Sequence, residues 1–137
     1  MKKIFIASDH AGYNLKNSII SKLKKINDLG PKSNDSVDYP DYAKKLSHRV
    51  KSKKSDIGIL VCGSRTGMAM SANKIKGIRA AVCYNLRSTR LSRRHNDANI
   101  ISIGSRLTKK NTALKLVSVF LKTKFEGGRH QRRVKKI

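Results

Sequence analysis

The segment that starts at Cys62 places a thiol directly in front of a turn rich in glycine and hydroxyl groups. The turn reads Gly63-Ser64-Arg65-Thr66-Gly67, and residues able to form a helix follow it. Backbone N–H groups at such a junction lower the pKa of a thiol and bind an oxyanion. A cysteine at the end of an apolar strand is also a common buried small side chain. The pattern therefore leaves a catalytic and a structural role open for Cys62.

Two other polar segments could handle protons or sugar hydroxyls. Asp9-His10 ends the first apolar run, where it could supply a hydrogen-bonding carboxylate or form a structural turn. His95-Asn96-Asp97 follows a predicted helix, and we expect it near the same edge of the sheet as Cys62. An imidazole flanked by hydrogen-bonding groups at the mouth of a parallel sheet suits a general acid or base.

Two arginines near the end of the sequence could bind an anion. Arg129 and Arg133 are four residues apart, so one helical turn would let both guanidinium groups contact the same phosphate. Their alternative role is solvated surface charge. The segment from Gly63 to Gly67 lacks a third glycine at the dinucleotide-binding spacing, which disfavours NAD as a cofactor.

The two cysteines show no pattern of disulfide or zinc chemistry. Cys62 and Cys83 lie far apart, with no C-x-x-C pair and no Cys/His cluster around them. This spacing argues against a disulfide framework and a structural zinc site, so we expect two free thiols. Cys83 has no glycine-rich turn after it and is expected to be structural.

Apolar runs that alternate with helical patterns indicate the elements that carry these residues. Strands are predicted at 3–8, 26–29, 57–62, 78–83 and 99–104. Helical patterns lie between them, with apolar faces formed by Leu15, Ile19 and Leu23, by Ala43, Leu46 and Val50 after Pro40, and by Leu114, Val117 and Leu121. The continuously apolar run Ile57–Cys62 is typical of a parallel strand that is buried on both faces.

This alternation predicts an α/β fold of the three-layer αβα, Rossmann-like type, with a five-stranded parallel sheet. We expect a single domain over residues 1–137, with ligands bound at the carboxyl ends of the strands. Residues 123–137 are predicted to form an extended C-terminal tail that has little to anchor it to its own core. Such a tail frays or docks on another molecule, for example a second subunit.

Composition restricts the classes of function. The 137 residues carry 32 Lys and Arg against 8 Asp and Glu, a formal net charge of +24. That charge attracts polyanions, but the basic residues are spread along the chain and lack the interleaved aromatic groups of single-strand RNA readers. We therefore expect no nucleic acid partner. The N-terminal apolar run at 4–7 is too short for a signal peptide or a membrane span, so we expect a soluble cytoplasmic protein.

Seven blocks of sequence, taken together, resemble one enzyme family. The chain is similar to the ribose-5-phosphate isomerase B family, which includes the galactose-6-phosphate isomerase subunits, over nearly its whole length. The blocks are Asp9-His10-Ala11-Gly12, Asp38-Tyr39-Pro40, Cys62-Gly63-Ser64, Ala72-Asn73-Lys74 with Gly77-Ile78-Arg79-Ala80, His95-Asn96-Asp97-Ala98-Asn99, Gly104-Ser105-Arg106, and Phe125-Glu126-Gly127-Gly128-Arg129-His130.

The resemblance implies interconversion of ribose 5-phosphate and ribulose 5-phosphate without a metal or an organic cofactor. It assigns ring opening to His95 as an acid and proton transfer between C2 and C1 to the Cys62 thiolate. Backbone N–H groups of residues 63–67 would bind the enediolate, and the family's tail arginines reach across a homodimer or a dimer of dimers. The implied contacts are Asp9, Tyr39 and Asn96 with sugar hydroxyls, and His10, Arg106, Arg129 and Arg133 with phosphate.

The chain departs from the family pattern in the turn after Cys62. Arg65 stands where relatives usually carry glycine, and Thr66 stands where they carry a small apolar residue. If the turn needs a positive φ at Arg65, the side chain adds strain, and the guanidinium points outward or adds a cation near the intermediate. Some relatives use a carboxylate as the base at the position of Met68, so Cys62 must transfer the proton here.

Two alternative functions stay open at this point. One is a hexose 6-phosphate isomerase of the same fold, of the galactose or allose type, because the phosphate contacts and the proton shuttle would be alike. The other is a non-catalytic polyanion-binding relative, which the charge of +24 and Arg65 would suit. The segment at 26–37 also looks shorter than is usual in the family, which leaves the second strand in doubt.

Overall fold

The computed structural model describes residues 2–137 and contains one parallel sheet of five strands in the order β2-β1-β3-β5-β4. The predicted α/β, three-layer arrangement is confirmed. The strands are β1 Ile4–Ser8, β2 Asn27–Asp28, β3 Ile57–Cys62, β4 Ala80–Val82 and β5 Ile100–Gly104. The helices are α1 Tyr13–Leu23, α2 Tyr39–Val50, α3 Thr66–Asn73, α4 Leu86–Arg94, α5 Lys110–Lys122 and α6 Arg129–Val134.

The central strand β3 divides the core into two layers because its side chains alternate between the faces of the sheet. Ile59 and Val61 pack on the face covered by α1 and α5, and Leu60 and Cys62 pack on the face covered by α2 and α3. All six residues of β3 are buried. The side chain of Cys62 therefore packs in the layer covered by α3, the helix that follows the glycine-rich turn.

The helix faces match the sequence pattern in part. Ala43, Leu46 and Val50 of α2 are buried as predicted, and Pro40 lies in the first turn of that helix. The prediction for α5 was only partly right, since Leu114 and Leu121 are partly buried and flank the true inner face. That face consists of Ala113, Leu116, Val117 and Phe120, which follow the i, i+3, i+4, i+7 spacing of one helical stripe.

The two edge strands are shorter than the apolar runs that predicted them. β2 exists but pairs with β1 over Asn27–Asp28 only, and β4 is limited to Ala80–Val82. An edge strand has a partner on one side only, so its ladder ends where that single neighbour diverges. The prediction of a strand over 78–83 was therefore wrong at both ends.

The expected extended tail is not confirmed, because Arg129–Val134 forms the helix α6. Gly127 and Gly128 have φ values of 69° and 55°, a conformation that glycine adopts without a side-chain penalty, and they reverse the chain before α6. The backbone N–H of Glu126 donates to the carbonyl of Arg94 at 3.1 Å and fixes this turn to the end of α4. Within residues 2–137, no helix combines the length and the apolar character that a membrane crossing requires.

Candidate active site

Cys62 is the last residue of β3, and its sulfur faces a ring of backbone N–H groups. Only three residues separate it from α3, which begins at Thr66, so the chain turns sharply above the thiol. The N–H groups of Ser64, Arg65 and Met68 are directed at the sulfur, and the residue is only 3% exposed. The predicted amide-rich cradle is present, but the same turn also buries the thiol.

Burial outweighs the amides in setting the pKa of Cys62. Loss of hydration, the largest effect, raises the pKa above the ordinary value of 9.0, and the negative charge of Asp9 raises it further. The N–H groups of Met68, Arg65 and Ser64 lower it by stabilising the thiolate, but by less in total. The amides were expected to lower the pKa, and they do, but burial leaves it raised overall, so the neutral thiol is favoured.

Arg65 adopts the left-handed conformation that the family's glycine suggested. Its φ is 67° and its ψ is −11°, and its carbonyl accepts a hydrogen bond of 2.7 Å from Ser102 Oγ. A non-glycine residue in this region costs about 1 kcal/mol. The guanidinium carbon lies 5.3 Å from the centroid of the Tyr84 ring, so the side chain extends away over the surface.

Asp9 is held beside Cys62 by the ends of β1 and β3. Its backbone N–H donates to the carbonyl of Val61 at 3.1 Å, and its Oδ1 accepts a 2.8 Å bond from the N–H of Gly12. A Cβ on Gly12 would lie 2.3 Å from the carbonyl oxygen of Val61, so this tight turn requires glycine. The neighbouring His10 is exposed, and its Nδ1 accepts a 3.3 Å bond from the N–H of Val37.

Tyr39 and Arg106 both lie against the turn after Cys62. A Cβ on Gly67 would lie 2.7 Å from Tyr39 Cε1, which shows that the ring rests on the first turn of α3. The N–H of Arg106 donates to the carbonyl of Gly63 at 3.1 Å, and a Cβ on Gly63 would be 3.0 Å from Arg106 Nη1. One group of predicted site residues, the carboxyl-edge group, is therefore assembled: Asp9, His10, Tyr39, Cys62, Gly63, Ser64, Arg65, Thr66, Gly67 and Arg106.

The prediction that His95 lies at the same edge was wrong. His95 caps the C-terminus of α4 and comes five residues before β5, which starts at Ile100. Because α4 runs antiparallel to the strands it connects, its end returns to the amino edge of the sheet. Cys62 pairs with Gly104 at the other end of β5. The buried core of the sheet separates the imidazole from the thiol.

At the amino edge, His95 contacts residues of the C-terminal segment 123–137 and not Cys62. Its ring stacks on the ring of His130, with centroids 4.2 Å apart and planes 13° apart. A cavity of about 430 Å³ lies against this pair and is lined by His95, Asn96, His130, Arg133, Val134 and Ile137. With Arg129, exposed at the start of α6, the remaining predicted site residues form the amino-edge group: His95, Asn96, Arg129 and Arg133.

His130 and Glu126 were not singled out as site residues from the sequence. Loss of hydration, followed by the positive charges of His95 and Arg129, lowers the pKa of His130 below its ordinary value, and Glu126 opposes this shift. The only sequence signal for them was their spacing. Glu126 and His130 are four residues apart, which brings two side chains together when the intervening chain forms a turn.

Comparison with known proteins identifies the family. The model of the ribose/galactose isomerase family matches residues 4–137. The chain belongs to this family. Among curated members of the ribose/galactose isomerase family, the chain is 45% identical to the probable ribose-5-phosphate isomerase B of Mycoplasma genitalium, over 98% of this chain and 92% of that protein. It is 42% identical to ribose-5-phosphate isomerase B of Escherichia coli, over 100% of this chain and 95% of that protein.

Solved structures of the ribose/galactose isomerase family have the same fold. The structure of Clostridium thermocellum ribose-5-phosphate isomerase B superposes with a TM-score of 0.95 at 49% identity, covering 99% of this chain and 94% of that one. The Mycoplasma genitalium enzyme with bound ribulose-5-phosphate gives a TM-score of 0.95 at 43% identity, covering 98% and 93% of the two chains.

Proposed function

We propose that this protein interconverts D-ribose 5-phosphate and D-ribulose 5-phosphate through an enediolate, as an isomerase of the pentose phosphate pathway acting in the cytoplasm. Membership of the ribose/galactose isomerase family supports the reaction class, and a relative binds ribulose-5-phosphate. The structural observation that carries the proposal is the Cys62 sulfur, which faces the N–H groups of Ser64, Arg65 and Met68 with Asp9 beside it.

This arrangement suits a proton shuttle on a sugar carbonyl. Once ionised, the Cys62 sulfur would take the proton from C2 of the open aldose and return it to C1, while the hydroxyl proton of O2 moves to O1. The intermediate carries negative charge on oxygen, which preorganised N–H donors stabilise by about 3 kcal/mol each. Thr66 and Gly67 lie in the first turn of α3, where N–H groups have no acceptor within the helix and can face that oxygen.

Completion of the site requires a second copy of the chain. The sheet and its core separate the carboxyl-edge group from the amino-edge group within one protomer, so one sugar phosphate cannot contact both. We propose a homodimer, alone or paired as a dimer of dimers, in which the amino-edge group of one copy faces the carboxyl-edge group of the other. The tail arginines on α6 would then cross between subunits.

The roles of the proposed site residues follow from their chemistry. His95 would open the sugar ring as an acid, with Asn96, Asp9 and Tyr39 binding hydroxyls. Guanidinium and imidazole groups bind phosphate oxygens through charge-assisted hydrogen bonds, and the proposed phosphate contacts are His10, Arg106, Arg129 and Arg133. This chemistry requires no metal and no organic cofactor, and we propose that residues 1–137 act as one isomerase domain.

A coupled assay on purified protein tests the proposal. We expect conversion of ribose 5-phosphate with a kcat/KM well above that for the 6-phosphates of galactose or allose. Cys62→Ala should abolish turnover while Cys83→Ala, the matched buried cysteine, retains it. A higher kcat/KM on a hexose 6-phosphate would shift the assignment to that substrate, and full activity of Cys62→Ala would refute the assigned base.

A further inference from the structure

Three potential metal ligands converge at the amino edge of the sheet. Glu126 Oε1 lies 3.7 Å from His95 Nε2 and 3.6 Å from His130 Nε2. One ligand atom from each of the three side chains lies within 4.8 Å of the other two. We propose that His95, Glu126 and His130 bind a divalent transition metal ion such as Zn²⁺, and that this ion inhibits the enzyme. These three side chains form the triad.

The carboxylate of the triad is already oriented by other contacts. Arg94 Nε donates to Glu126 Oε2 at 2.5 Å, and the N–H of Glu126 donates to the carbonyl of Arg94 at 3.1 Å. Oε2 is therefore occupied, while Oε1 is turned toward the two imidazoles. Because Arg94 is the last residue of α4 and His95 follows it directly, the carboxylate and one imidazole share a single rigid support.

The second imidazole is brought in by the turn before α6. The N–H of His130 donates to the carbonyl of Gly127 at 3.1 Å, and the positive φ values of Gly127 and Gly128 fold the chain back over Glu126. His130 then stacks on His95 with centroids 4.2 Å apart. The His130 side chain is only 12% exposed, so its ring stays close to Glu126 and His95.

The spacing of the triad is close to what a tetrahedral ion requires. Bonds of about 2.0–2.1 Å to zinc place neighbouring ligand atoms roughly 3.3 Å apart. The two carboxylate-to-imidazole separations exceed that by a few tenths of an ångström. Because a metal ion lies in the plane of each imidazole that binds it, the stacked rings of His95 and His130 must tilt apart when the ion binds. Two imidazoles and one carboxylate would leave the fourth position to water or another ligand, as in open zinc sites.

The charges around the triad determine which ions it can hold. Arg94 contacts Glu126, and the positive charges of Arg129 and Arg133 act on His130, so all three lower the affinity of the triad for any cation. Hard ions such as Mg²⁺ and Ca²⁺ gain little from imidazole, whereas Zn²⁺, Co²⁺, Ni²⁺ and Cu²⁺ bind it well. We therefore expect a site of moderate affinity that is selective for borderline transition metals.

Inhibition follows from the identity of one ligand, and this part rests on the proposed function. A metal ion bound to His95 Nε2 occupies the lone pair that ring-opening acid catalysis needs. The ion would also fix His130 and the start of α6, next to Arg129. Metal binding itself is independent of that assignment and can be measured without any activity.

Co²⁺ titration of the chelator-treated full-length protein is the direct test, since tetrahedral Co²⁺ bound to nitrogen and oxygen gives visible d–d absorption. We expect a saturating signal at one ion per chain, displaced by Zn²⁺ but not by Mg²⁺. Glu126→Gln and His130→Gln should each weaken binding about tenfold or more. The matched control His48→Gln removes an exposed histidine of α2 and should leave the titration unchanged.

Two results would overturn the proposal. One is no saturable Co²⁺ binding, or binding that Glu126→Gln and His130→Gln leave unaltered. The other is a thiolate-to-metal charge-transfer band that Cys62→Ala removes, which would place the ion on the sulfur. The inhibitory role is separate: Zn²⁺ should lower wild-type turnover at concentrations at least tenfold below those needed for His130→Gln, and equal sensitivity would reject it. Absent isomerase activity would affect only this last comparison.

Discussion

Cys62 and His95 lie at opposite edges of the same sheet, although both are candidates for one reaction. Cys62 ends β3 opposite Gly104, and His95 ends α4 five residues before β5 begins. The four Cα-to-Cα steps of β5 span roughly 13 Å at about 3.3 Å per step, and buried apolar side chains surround the strand. A catalytic partnership between the two residues therefore has to be made between chains.

Mixing two inactive variants tests this arrangement. Cys62→Ala and His95→Ala should each be inactive alone, yet co-refolded mixtures should regain up to about one quarter of wild-type turnover, because each mixed two-fold dimer contains one intact site. The measurement is the coupled assay on the mixture. A mixture of Cys62→Ala with Asp9→Ala is the control and should stay inactive, since both changes lie at the carboxyl edge. No recovery in the first mixture would contradict a shared site.

Replacing Arg65 by glycine should stabilise the protein without lowering turnover. Glycine removes about 1 kcal/mol of backbone strain at φ 67°. The variant also loses the exposed contact between the guanidinium and Tyr84, which offsets part of this stabilisation. We therefore expect the free energy of unfolding to rise by about 0.5 kcal/mol. Urea unfolding measures the gain. The matched variant Arg65→Ala loses the guanidinium but keeps the strain, and it should not be stabilised. A severe drop in kcat for Arg65→Gly would mean that the guanidinium takes part in the reaction.

The raised pKa of Cys62 predicts a specific pH dependence of alkylation. At neutral pH the thiol is neutral in the folded protein, so iodoacetamide should modify it more slowly than an unfolded cysteine. The rate should rise as the pH passes above 9.0. Mass spectrometry of the Cys83→Ala variant reads this rate at Cys62 alone. Rapid modification of Cys62 at pH 7 would show that the amides dominate over burial.

The same shift affects stability at high pH. Above pH 9.0 the unfolded chain releases the Cys62 proton while the folded chain retains it. The free energy of unfolding should therefore fall with rising pH until the folded-state pKa is passed, and this contribution is fully present below 9.0. We expect the free energies of unfolding of the wild type and of Cys62→Ala, measured by denaturation at each pH, to converge as the pH rises through this window. A difference in free energy of unfolding that stays constant with pH would indicate that burial does not perturb the pKa of the thiol.

Alanine substitutions at two glycines compare a clash with rigid backbone and a clash with a movable side chain. A Cβ on Gly12 would meet the Val61 carbonyl oxygen at 2.3 Å, whereas a Cβ on Gly58 would meet Leu46 Cδ2 at 2.4 Å. The backbone of β3 cannot move, but the end of a leucine side chain can. We expect Gly12→Ala to cost about 3 kcal/mol or more and Gly58→Ala about 1–2 kcal/mol. Similar losses in thermal unfolding for both variants would mean that the Leu46 side chain cannot shift.

Local sequence patterns determined most of the elements and placed the carboxyl-edge group of candidate residues together. The apolar run of β3 followed by a glycine-rich turn predicted a strand end that presents Cys62 to backbone amides, because strand, turn and helix signals act over a few neighbouring residues. The order of strands and helices predicted a parallel sheet for the same reason. Asp9 and Arg106 lie at the carboxyl edge because each follows a strand that ends there, and Tyr39, which only the family resemblance implied, lies against the same turn.

Only the tertiary structure decided the rest. The turn at Gly127 and Gly128 brought Glu126 and His130 to His95 from far along the chain. The position of His95 at the amino edge, by contrast, already follows from its place between a helix and the next parallel strand, and the sequence prediction overlooked this. The pKa of Cys62 likewise depends on how completely distant segments exclude water from the sulfur. These properties depend on contacts between residues that are remote in sequence, and hydrophobic periodicity and motif spacing do not reveal such contacts.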